Sequence, residues 1–385
     1  MRLLPVLVFA VVAMVAALRP AHSAPDFDTP AQWAILMDAD TQSVLYEKGA
    51  DERMPPASMS KLMTLAVAFD ALKAGKLKLT DEFTTSLHAW RTGGAPSGTS
   101  AMFVPLKETA TVDELLQGIA VQSGNDACII LAEGIAGSEA AFADMMNAYA
   151  KKIGLKQSSF RNSTGLPDPD HMMTARDLAR LARYIIRAYP EYYHYFAQKE
   201  FKYRKHVFHN RNPLVYADNG VDGLKTGYTE DSGYGITASM VQGDQRLIAV
   251  VNGMKSKKER HEDARQLLDW GFRNFKSYKL FDEGEVVGDA IVWGGNTRFV
   301  DLTGNGPVTV LLPRNDTPKL RASIVYQGPL KPPLKKGERV AILRITSSDV
   351  LVNEIPLYAA SDVEVASIYR RGFDSLLHLA FGWLL

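Results

Sequence analysis

The sequence has few of the features that mark several large classes of protein. A single cysteine, Cys128, excludes an internal disulfide, and we expect it to be a small buried packing residue rather than a nucleophile. Neither sign of charge is in excess, because 44 lysine and arginine residues stand against 43 aspartate and glutamate residues. A balanced chain has no general positive field, so we expect no nucleic-acid partner. The eight histidines form no His-Glu-x-x-His sequence and no Cys/His array, and we predict neither a metal ion nor a cofactor.

The N-terminal apolar run is too short for a bilayer span. Leu3–Leu18 contains 16 residues including a proline, whereas a span needs about 20. Arg2 precedes the run, and Ala21 and Ser23 fit the small-residue rule for cleavage of a secretory signal. We therefore predict a signal peptide over residues 1–23, cleaved after Ser23 or one residue later, and an exported protein.

The mature chain is long enough for two domains. In the first, over residues 24–277, helical periodicities alternate with strand-like runs, which predicts an α/β (α+β) fold with an antiparallel sheet flanked by helices. The expected elements are a hairpin over 33–46, a buried helix from about Ser58, a helix over 111–121 that delivers Ser123, a helix over 140–153, a helix with Thr174 as N-cap, a strand from Lys225, strands over 234–239 and 246–251, and a closing helix over 259–275.

The pattern of residue types along the sequence changes after residue 278. Short β-rich runs, separated by Gly, Pro and Asn, occur at 290–293, 308–312, 322–326, 340–345 and 350–355. They predict a small all-β domain over residues 278–360.

The last segment, residues 361–385, has a helical apolar face. That face comprises Phe373, Leu376, Leu377, Ala380, Phe381 and Leu384. One interpretation is a helix packed on its own domain. We favour an amphipathic helix that lies in a membrane surface, because Arg370, Arg371 and Trp383 accompany the apolar face.

Three short signatures follow one another along the first domain. They are Ser58-Met59-Ser60-Lys61, Ser123-Gly124-Asn125 and Lys225-Thr226-Gly227. If Ser58 begins a helix, Lys61 shares its face three residues later and can act as the base that activates it. The pKa of an ordinary lysine is about 10.4, so Lys61 needs burial or a nearby cation, for which Lys225 is the candidate. Taken alone, Ser58 would be a simple helix N-cap.

The same signatures supply the other groups that acyl transfer requires. The amides of Ser58 and Tyr228 would form an oxyanion hole, the second from an edge strand that begins at Lys225. Lys225 and Thr226 would bind an anionic group of the substrate. Ser123 would relay a proton to the leaving amine, and Asn125 would hold the substrate amide. Taken alone, Ser123-Gly124-Asn125 would be a turn that ends a helix.

With these residues in place, the chain resembles the D-alanyl-D-alanine carboxypeptidases among the low-molecular-mass penicillin-binding proteins, over nearly the whole mature chain. Further matching segments are Pro56-Ala57-Ser58, Asp126-Ala127-Cys128, Asn162 with Gly165-Leu166, Thr174-Ala175-Arg176-Asp177 and Asp222-Gly223-Leu224 before Lys225-Thr226-Gly227. The β-rich domain and the amphipathic tail fit too. One departure is Tyr228, where histidine is familiar.

The resemblance implies a β-lactamase/transpeptidase-like first domain and an activity. Ser58 would be acylated by a peptidoglycan stem peptide ending in D-Ala-D-Ala, the terminal D-Ala would leave, and water would complete turnover. Penicillins would mimic the dipeptide and trap the acyl-enzyme. Arg211 and Arg260 become candidates for orienting the terminal carboxylate. The protein would act at the periplasmic face of the inner membrane.

Two alternatives remain open at this stage. A serine β-lactamase would share the acylation groups, but its middle signature is Ser-Asp-Asn and it has no need of a β domain or an amphipathic tail. A membrane-associated scaffold with an idle site would not need to keep every presumed catalytic residue, and this chain keeps them all.

Overall fold

The computed structural model describes residues 27–217, 219–314, 320–347 and 350–367. The predicted signal peptide and the apolar face of the predicted C-terminal helix lie outside the described residues. The described chain forms two compact units, one of residues 27–279 with 309–314 and the other of residues 280–308 with 320–347 and 350–367. None of the helices in these ranges is both long enough and apolar enough to cross a bilayer.

The strands are β1 (Trp33–Asp38), β2 (Val44–Lys48), β3 (Glu82–Thr84), β4 (Thr109–Thr111), β5 (Glu200–Tyr203), β6 (His206–His209), β7 (Val221–Thr229), β8 (Gly233–Gln242), β9 (Gln245–Met254), β10 (Phe275–Phe281), β11 (Val286–Ile291), β12 (Phe299–Gly304), β13 (Val308–Pro313), β14 (Leu320–Val325), β15 (Arg339–Ser347) and β16 (Val350–Ala359). The α-helices are α1 (Lys61–Lys73), α2 (Leu87–Thr92), α3 (Val112–Gln117), α4 (Asn125–Ala136), α5 (Glu139–Lys152), α6 (Ala175–Ala188), α7 (His194–Ala197) and α8 (Lys257–Asn274).

The first unit is built on a five-stranded antiparallel sheet with the order β2-β1-β9-β8-β7. The central strand β9 is buried on both faces, and Leu247–Val251 is fully buried. Its sequence is therefore a continuous apolar run rather than an alternation of apolar and polar residues. α6 and α8 pack on the sheet, and their N-caps are Thr174 and Ser256, whose side chains each accept a backbone N–H bond. The predicted hairpin, the three later strands and the Thr174 cap are confirmed.

The start of the predicted helix at Ser58 differs in detail. Residues Ala57–Ser60 form a single 3₁₀ turn, and α1 begins only at Lys61. Short 3₁₀ turns are common at the N-terminus of an α-helix, where they tighten its first turn. α1 is then buried on nearly every side, as its apolar sequence predicts.

β7 is the edge strand of the sheet, and its free edge runs beside the 3₁₀ turn that carries Ser58. A side chain at Gly227 would meet the Pro56 carbonyl oxygen at 3.0 Å and the Ala57 methyl at 3.2 Å. Glycine therefore permits the close approach of strand and turn.

The second unit contains an antiparallel sheet with the order β11-β12-β16-β15-β14. Two details differ from the sequence-based expectation. The run at 308–312 is β13, which pairs with β10 and belongs to the first unit, and β12 was not predicted. Residues 361–367 are not helical, because Val363 and Val365 form isolated bridges to Leu334 and Gly295. The predicted tail helix therefore does not begin at residue 361.

Candidate active site

The first signature brings a hydroxyl and an amine together at the start of α1. Ser58 Oγ lies 2.9 Å from Lys61 Nζ. Lys61 is completely buried, and its ammonium also donates to Asn125 Oδ1 at 2.7 Å and to the carbonyl of Thr164 at 2.5 Å. The three donor positions of the ammonium are thus all used, which fixes Nζ beside the hydroxyl.

Burial tunes the acidity of this lysine. The pKa of Lys61 is lowered to about 8. Desolvation by burial is the largest cause, Cys128 opposes the shift, and the positive charge of Arg211 adds to it. The predicted cation, Lys225, is itself buried, and desolvation followed by the charge of Lys61 lowers the pKa of Lys225 well below the usual range. Arg211, rather than Lys225, is the cation that lowers the pKa of Lys61.

The second signature joins the end of one helix to the start of another. A π-helical turn over Gly118–Gln122 extends α3 and ends at Ser123, which has a left-handed backbone (φ 64°) and is 3% exposed. Asn125 begins α4, and its amide accepts from Lys61 and donates to Thr99 Oγ1 at 2.9 Å. The helix that delivers Ser123 is confirmed, and the Gly-rich stretch before Ser100 borders the site through Thr99.

The third signature lies on the free edge of β7. Lys225 and Thr226 are buried, and Lys225 Nζ donates to the carbonyl of Thr226 at 3.2 Å. Tyr228 pairs with Tyr234 of β8, and their rings stack with centroids 4.1 Å apart. The Tyr228 ring is half exposed, so this position, where histidine is familiar, presents an aromatic surface beside the site.

Arg211 and Arg260 are the two further cations near these lysines. The guanidinium of each lowers the pKa of Lys225. Arg211 is exposed, and its amide donates to the carbonyl of Val121, two residues before Ser123. Arg260 lies in α8 over the ring of Tyr234 at 5.9 Å, and its buried Nε has no hydrogen-bond partner among the described residues. Burial lowers its pKa to about 10.

The loop at 162–165 carries part of the family pattern, but its sequence alone predicts no role for it in the site. Its Thr164 carbonyl is the third acceptor for Lys61. The Asn162 side chain accepts from the amides of Thr164 and Gly165, and the Glu139 carboxylate accepts from Ser163, so the loop is held from both ends. The Asn-x-x-Gly pattern was a signal for a tight turn, but not for its contact with a lysine 103 residues away.

Cys128 is fully buried in the core near the site, and burial raises the pKa of its thiol to about 12. The structure therefore places it as the packing residue that we predicted. Within the described ranges, no group of three or more His, Cys, Asp or Glu side chains is arranged to hold a metal ion.

The fold and this arrangement define a serine hydrolase of the penicillin-binding class, with a transpeptidase-like domain followed by an all-β domain. The chain belongs to the D-alanyl-D-alanine carboxypeptidase family, whose model matches residues 19–256, and the model of the penicillin-binding protein 5 C-terminal domain matches residues 275–365. It is 40% identical over 363 residues to the D-alanyl-D-alanine carboxypeptidase DacC of Escherichia coli K12, covering 94% of this chain and 90% of DacC.

Two solved structures extend the comparison. Penicillin-binding protein 5 of Haemophilus influenzae superposes with a TM-score of 0.83 at 33% identity, over 89% of this chain and all of that one. Penicillin-binding protein D2 of Listeria monocytogenes, in its ampicillin-bound form, has a TM-score of 0.57 at 28% identity, over 65% of this chain and all of that one.

Proposed function

We propose that this protein removes the terminal D-alanine from peptidoglycan stem pentapeptides through an acyl-enzyme on Ser58. One observation carries the proposal. The Lys61 amine is completely buried, and it lies within hydrogen-bonding distance of both Ser58 Oγ and Asn125 Oδ1. The names of the similar proteins supply the substrate class, D-alanyl-D-alanine peptides.

In the acylation step, neutral Lys61 takes the proton of the Ser58 hydroxyl as Oγ attacks the carbonyl carbon of the D-Ala-D-Ala bond. The amides of Ser58 and Tyr228 stabilise the negative charge that develops on the carbonyl oxygen. The lowered pKa of Lys61 makes this possible near neutral pH, because a base works best when its pKa lies close to the operating pH.

The leaving amine needs a proton when the carbon–nitrogen bond breaks. Ser123, at the end of the π-helical turn, relays the proton that Lys61 received. Asn125 holds the amide of the substrate with its side chain while Thr99 orients that side chain. Water then attacks the ester on Ser58, releases the shortened peptide and returns the serine.

The terminal carboxylate of the substrate is bound by Lys225, Thr226 and Arg211. Arg211 is exposed, and its guanidinium can form a bidentate pair with a carboxylate. Arg260 supports this end of the site behind Tyr234. We expect penicillins to occupy the same positions and to acylate Ser58. A similar protein, penicillin-binding protein D2 of Listeria monocytogenes, has been solved in an ampicillin-bound form.

Export and anchoring complete the proposal. The signal peptide over residues 1–23 sends the chain to the periplasm, and the amphipathic segment at the C-terminus attaches it to the periplasmic face of the inner membrane. The support is the sequence pattern of each segment and the family to which the chain belongs.

The test measures intact mass after exposure to penicillin, together with release of D-alanine from a D-Ala-D-Ala peptide. Wild type should gain one penicilloyl group and release D-alanine, and Ser58→Ala should do neither. Ser60→Ala is the matched control, because Ser60 Oγ is buried without a hydrogen-bond partner among the described residues. An adduct that persists in Ser58→Ala would refute the mechanism. Rapid hydrolysis of penicillin without an adduct would favour a β-lactamase instead.

A further inference from the structure

Positive charge is concentrated in one segment of the first unit, and the mechanism above uses only the last residue of that segment. Residues 199–211 contain three lysines and two arginines but a single acidic residue, Glu200. Their formal charge of +4, five cations less one carboxylate, exceeds the +1 of the whole chain. The balance of charge that holds for the sequence as a whole therefore fails here. We name residues 199–209 the basic hairpin, because β5 and β6 form a two-stranded sheet of their own.

The basic hairpin borders the active site. β5 and β6 both pack against the π-helical turn that ends at Ser123. After β6, the amide of Asn210 donates to the carbonyl of Lys199 at 2.8 Å and closes the hairpin. The next residue is Arg211, whose amide donates to the carbonyl of Val121 in the same π-helical turn at 3.3 Å. The hairpin is thus continuous with the rim of the site on which Arg211 lies.

Aromatic packing holds the hairpin as a preformed surface. A two-stranded hairpin alone is only marginally stable in water, so this one depends on its buried face. Phe201 and Phe208 are paired across the two strands with ring centroids 6.1 Å apart, and Phe103 stacks on Phe208 at 6.3 Å. Since side chains alternate along a strand, the next pair in register, Lys202 and Val207, lies on the opposite face, which is exposed.

Three lysines of the hairpin have side chains that are available to a partner. They are Lys199, Lys202 and Lys205. All three are exposed, and none of their ammonium groups forms a hydrogen bond or an ion pair with a residue that the structure describes. The other charges of the hairpin are matched, because Arg204 pairs with Glu108 and Glu200 lies 3.1 Å from His209 Nδ1. The surface therefore presents three ammonium groups that can bind anions.

The substrate class of the proposed function carries the complementary charge. A stem peptide that is not cross-linked ends in a carboxylate both before and after the loss of D-alanine, so a glycan strand with many such peptides is a polyanion. A cationic surface raises the rate at which a polyanion meets the protein. Once one stem peptide lies in the active site, its neighbours on the same strand are held nearby at a high effective concentration.

We propose that the basic hairpin is a docking surface for polymeric peptidoglycan, and that it binds the carboxylates of stem peptides that neighbour the one being cleaved. This partner is favoured over an anionic membrane because the hairpin runs directly into Arg211 at the rim of the site. The segment that we propose for membrane attachment follows the second unit instead. The inference rests on the proposed function and adds a preference for polymeric substrates over short ones.

The experiment compares a polymer with a short peptide that has the same reactive end. Release of D-alanine gives kcat/KM for purified uncross-linked peptidoglycan strands with pentapeptide stems and for Nα,Nε-diacetyl-Lys-D-Ala-D-Ala. The triple variant Lys199→Gln/Lys202→Gln/Lys205→Gln should lower kcat/KM for the polymer by roughly fivefold at about 20 mM salt, and by less than about twofold for the short peptide. At about 0.5 M salt the two proteins should act equally on the polymer, because the Debye length is then only about 4 Å.

Three exposed lysines elsewhere in the first unit provide the matched control. They are Lys76, Lys78 and Lys151. The first two follow the C-terminal end of α1, roughly 20 Å along that helix from Lys61, and the third lies in the last turn of α5. Their simultaneous replacement by Gln removes the same charge, and it should leave kcat/KM for both substrates nearly unchanged.

Binding without turnover separates this surface from the proposed activity. At low salt the Ser58→Ala chain should sediment with purified peptidoglycan, and the same chain with the three hairpin substitutions should sediment much less. Equal sedimentation of the two chains would overturn the surface, and so would an equal loss of rate on polymer and short peptide. If the substitutions instead abolish binding to phosphatidylglycerol vesicles and spare binding to peptidoglycan, the hairpin faces a membrane and the inference is wrong. If wild type releases D-alanine from neither substrate, the proposed activity fails and sedimentation alone decides the surface.

Discussion

The substitution Asn125→Asp tests the role of Lys61 as the base most directly. It places a carboxylate where the amide oxygen now lies, 2.7 Å from Lys61 Nζ. Two unit charges 4 Å apart attract by roughly 4 kcal/mol at an effective dielectric of about 20, which equals about three pKa units. Because the new carboxylate also loses solvation, we expect the pKa of Lys61 to rise by about two units.

The consequence is a specific change in the pH profile. With a pKa of about 8, about one Lys61 in ten is neutral at pH 7. A rise of about two units reduces that fraction to about one in a thousand, so acylation by a fluorescent penicillin should slow about 100-fold at pH 7. The acid limb of the rate, followed from pH 6 to 10.5, should move from about pH 8 to about pH 10.

Asn125→Ala is the matched control, because it removes the same amide without adding charge. We expect a lower rate at every pH and an acid limb that does not move upward. If the limb of Asn125→Asp also stays in place while the rate falls uniformly, Lys61 is not the group whose deprotonation limits acylation, and the assignment of the base is wrong.

Three further outcomes follow from burial and backbone geometry. Gly165→Ala should greatly reduce acylation, because the new methyl would clash with the Ala57 carbonyl oxygen. Gly154→Ala is the control, because Gly154 also has a positive φ but open space around it, and this variant should lower only stability, by about 1 kcal/mol. In denaturant titrations, the unfolding free energy of wild type should rise by about 2 kcal/mol relative to that of Lys61→Met between pH 8 and 9.5. The reason is that the pKa of Lys61 is about 8 in the folded protein and 10.5 for an ordinary lysine, so between these values the unfolded chain binds one more proton than the folded chain. Cys128 should resist iodoacetamide in the folded enzyme and react once it unfolds, and rapid native labelling would contradict its burial.

The sequence predicts well those parts of the site that depend on residues close together along the chain. Ser58 and Lys61 are three residues apart, so a helical turn alone brings them together, and the Lys-Thr-Gly signature lies on a strand whose apolar neighbours identify the sheet. The Ser123 turn likewise follows from the helix before it. These predictions need only the periodicity of one segment at a time.

The rest depends on contacts that no single segment contains. Asn125 is 64 residues from Lys61, and the Thr164 carbonyl is 103 residues away. The effect of Arg211 on Lys61 depends on burial, which is a property of the packed core rather than of the motif. The misassignment of β13 has the same origin, since its apolar run fits either unit and only pairing with β10 decides.

Two non-glycine residues of the site have an unfavourable backbone conformation. Ala57 and Ser123 both have left-handed backbones, with φ 48° and 64°, a conformation that costs a non-glycine residue roughly 1 kcal/mol or more. Such backbone conformations persist only where the surrounding structure holds them in place. At Ala57 the neighbouring strand is close, because a Cβ added at Gly227 would lie 3.2 Å from the Ala57 methyl. A side chain at Gly227 would push the Ser58 turn away from β7 and separate the two amides of the proposed oxyanion hole. The strained turn and the glycine of the third signature therefore act together, and they hold the amides in place before the substrate arrives.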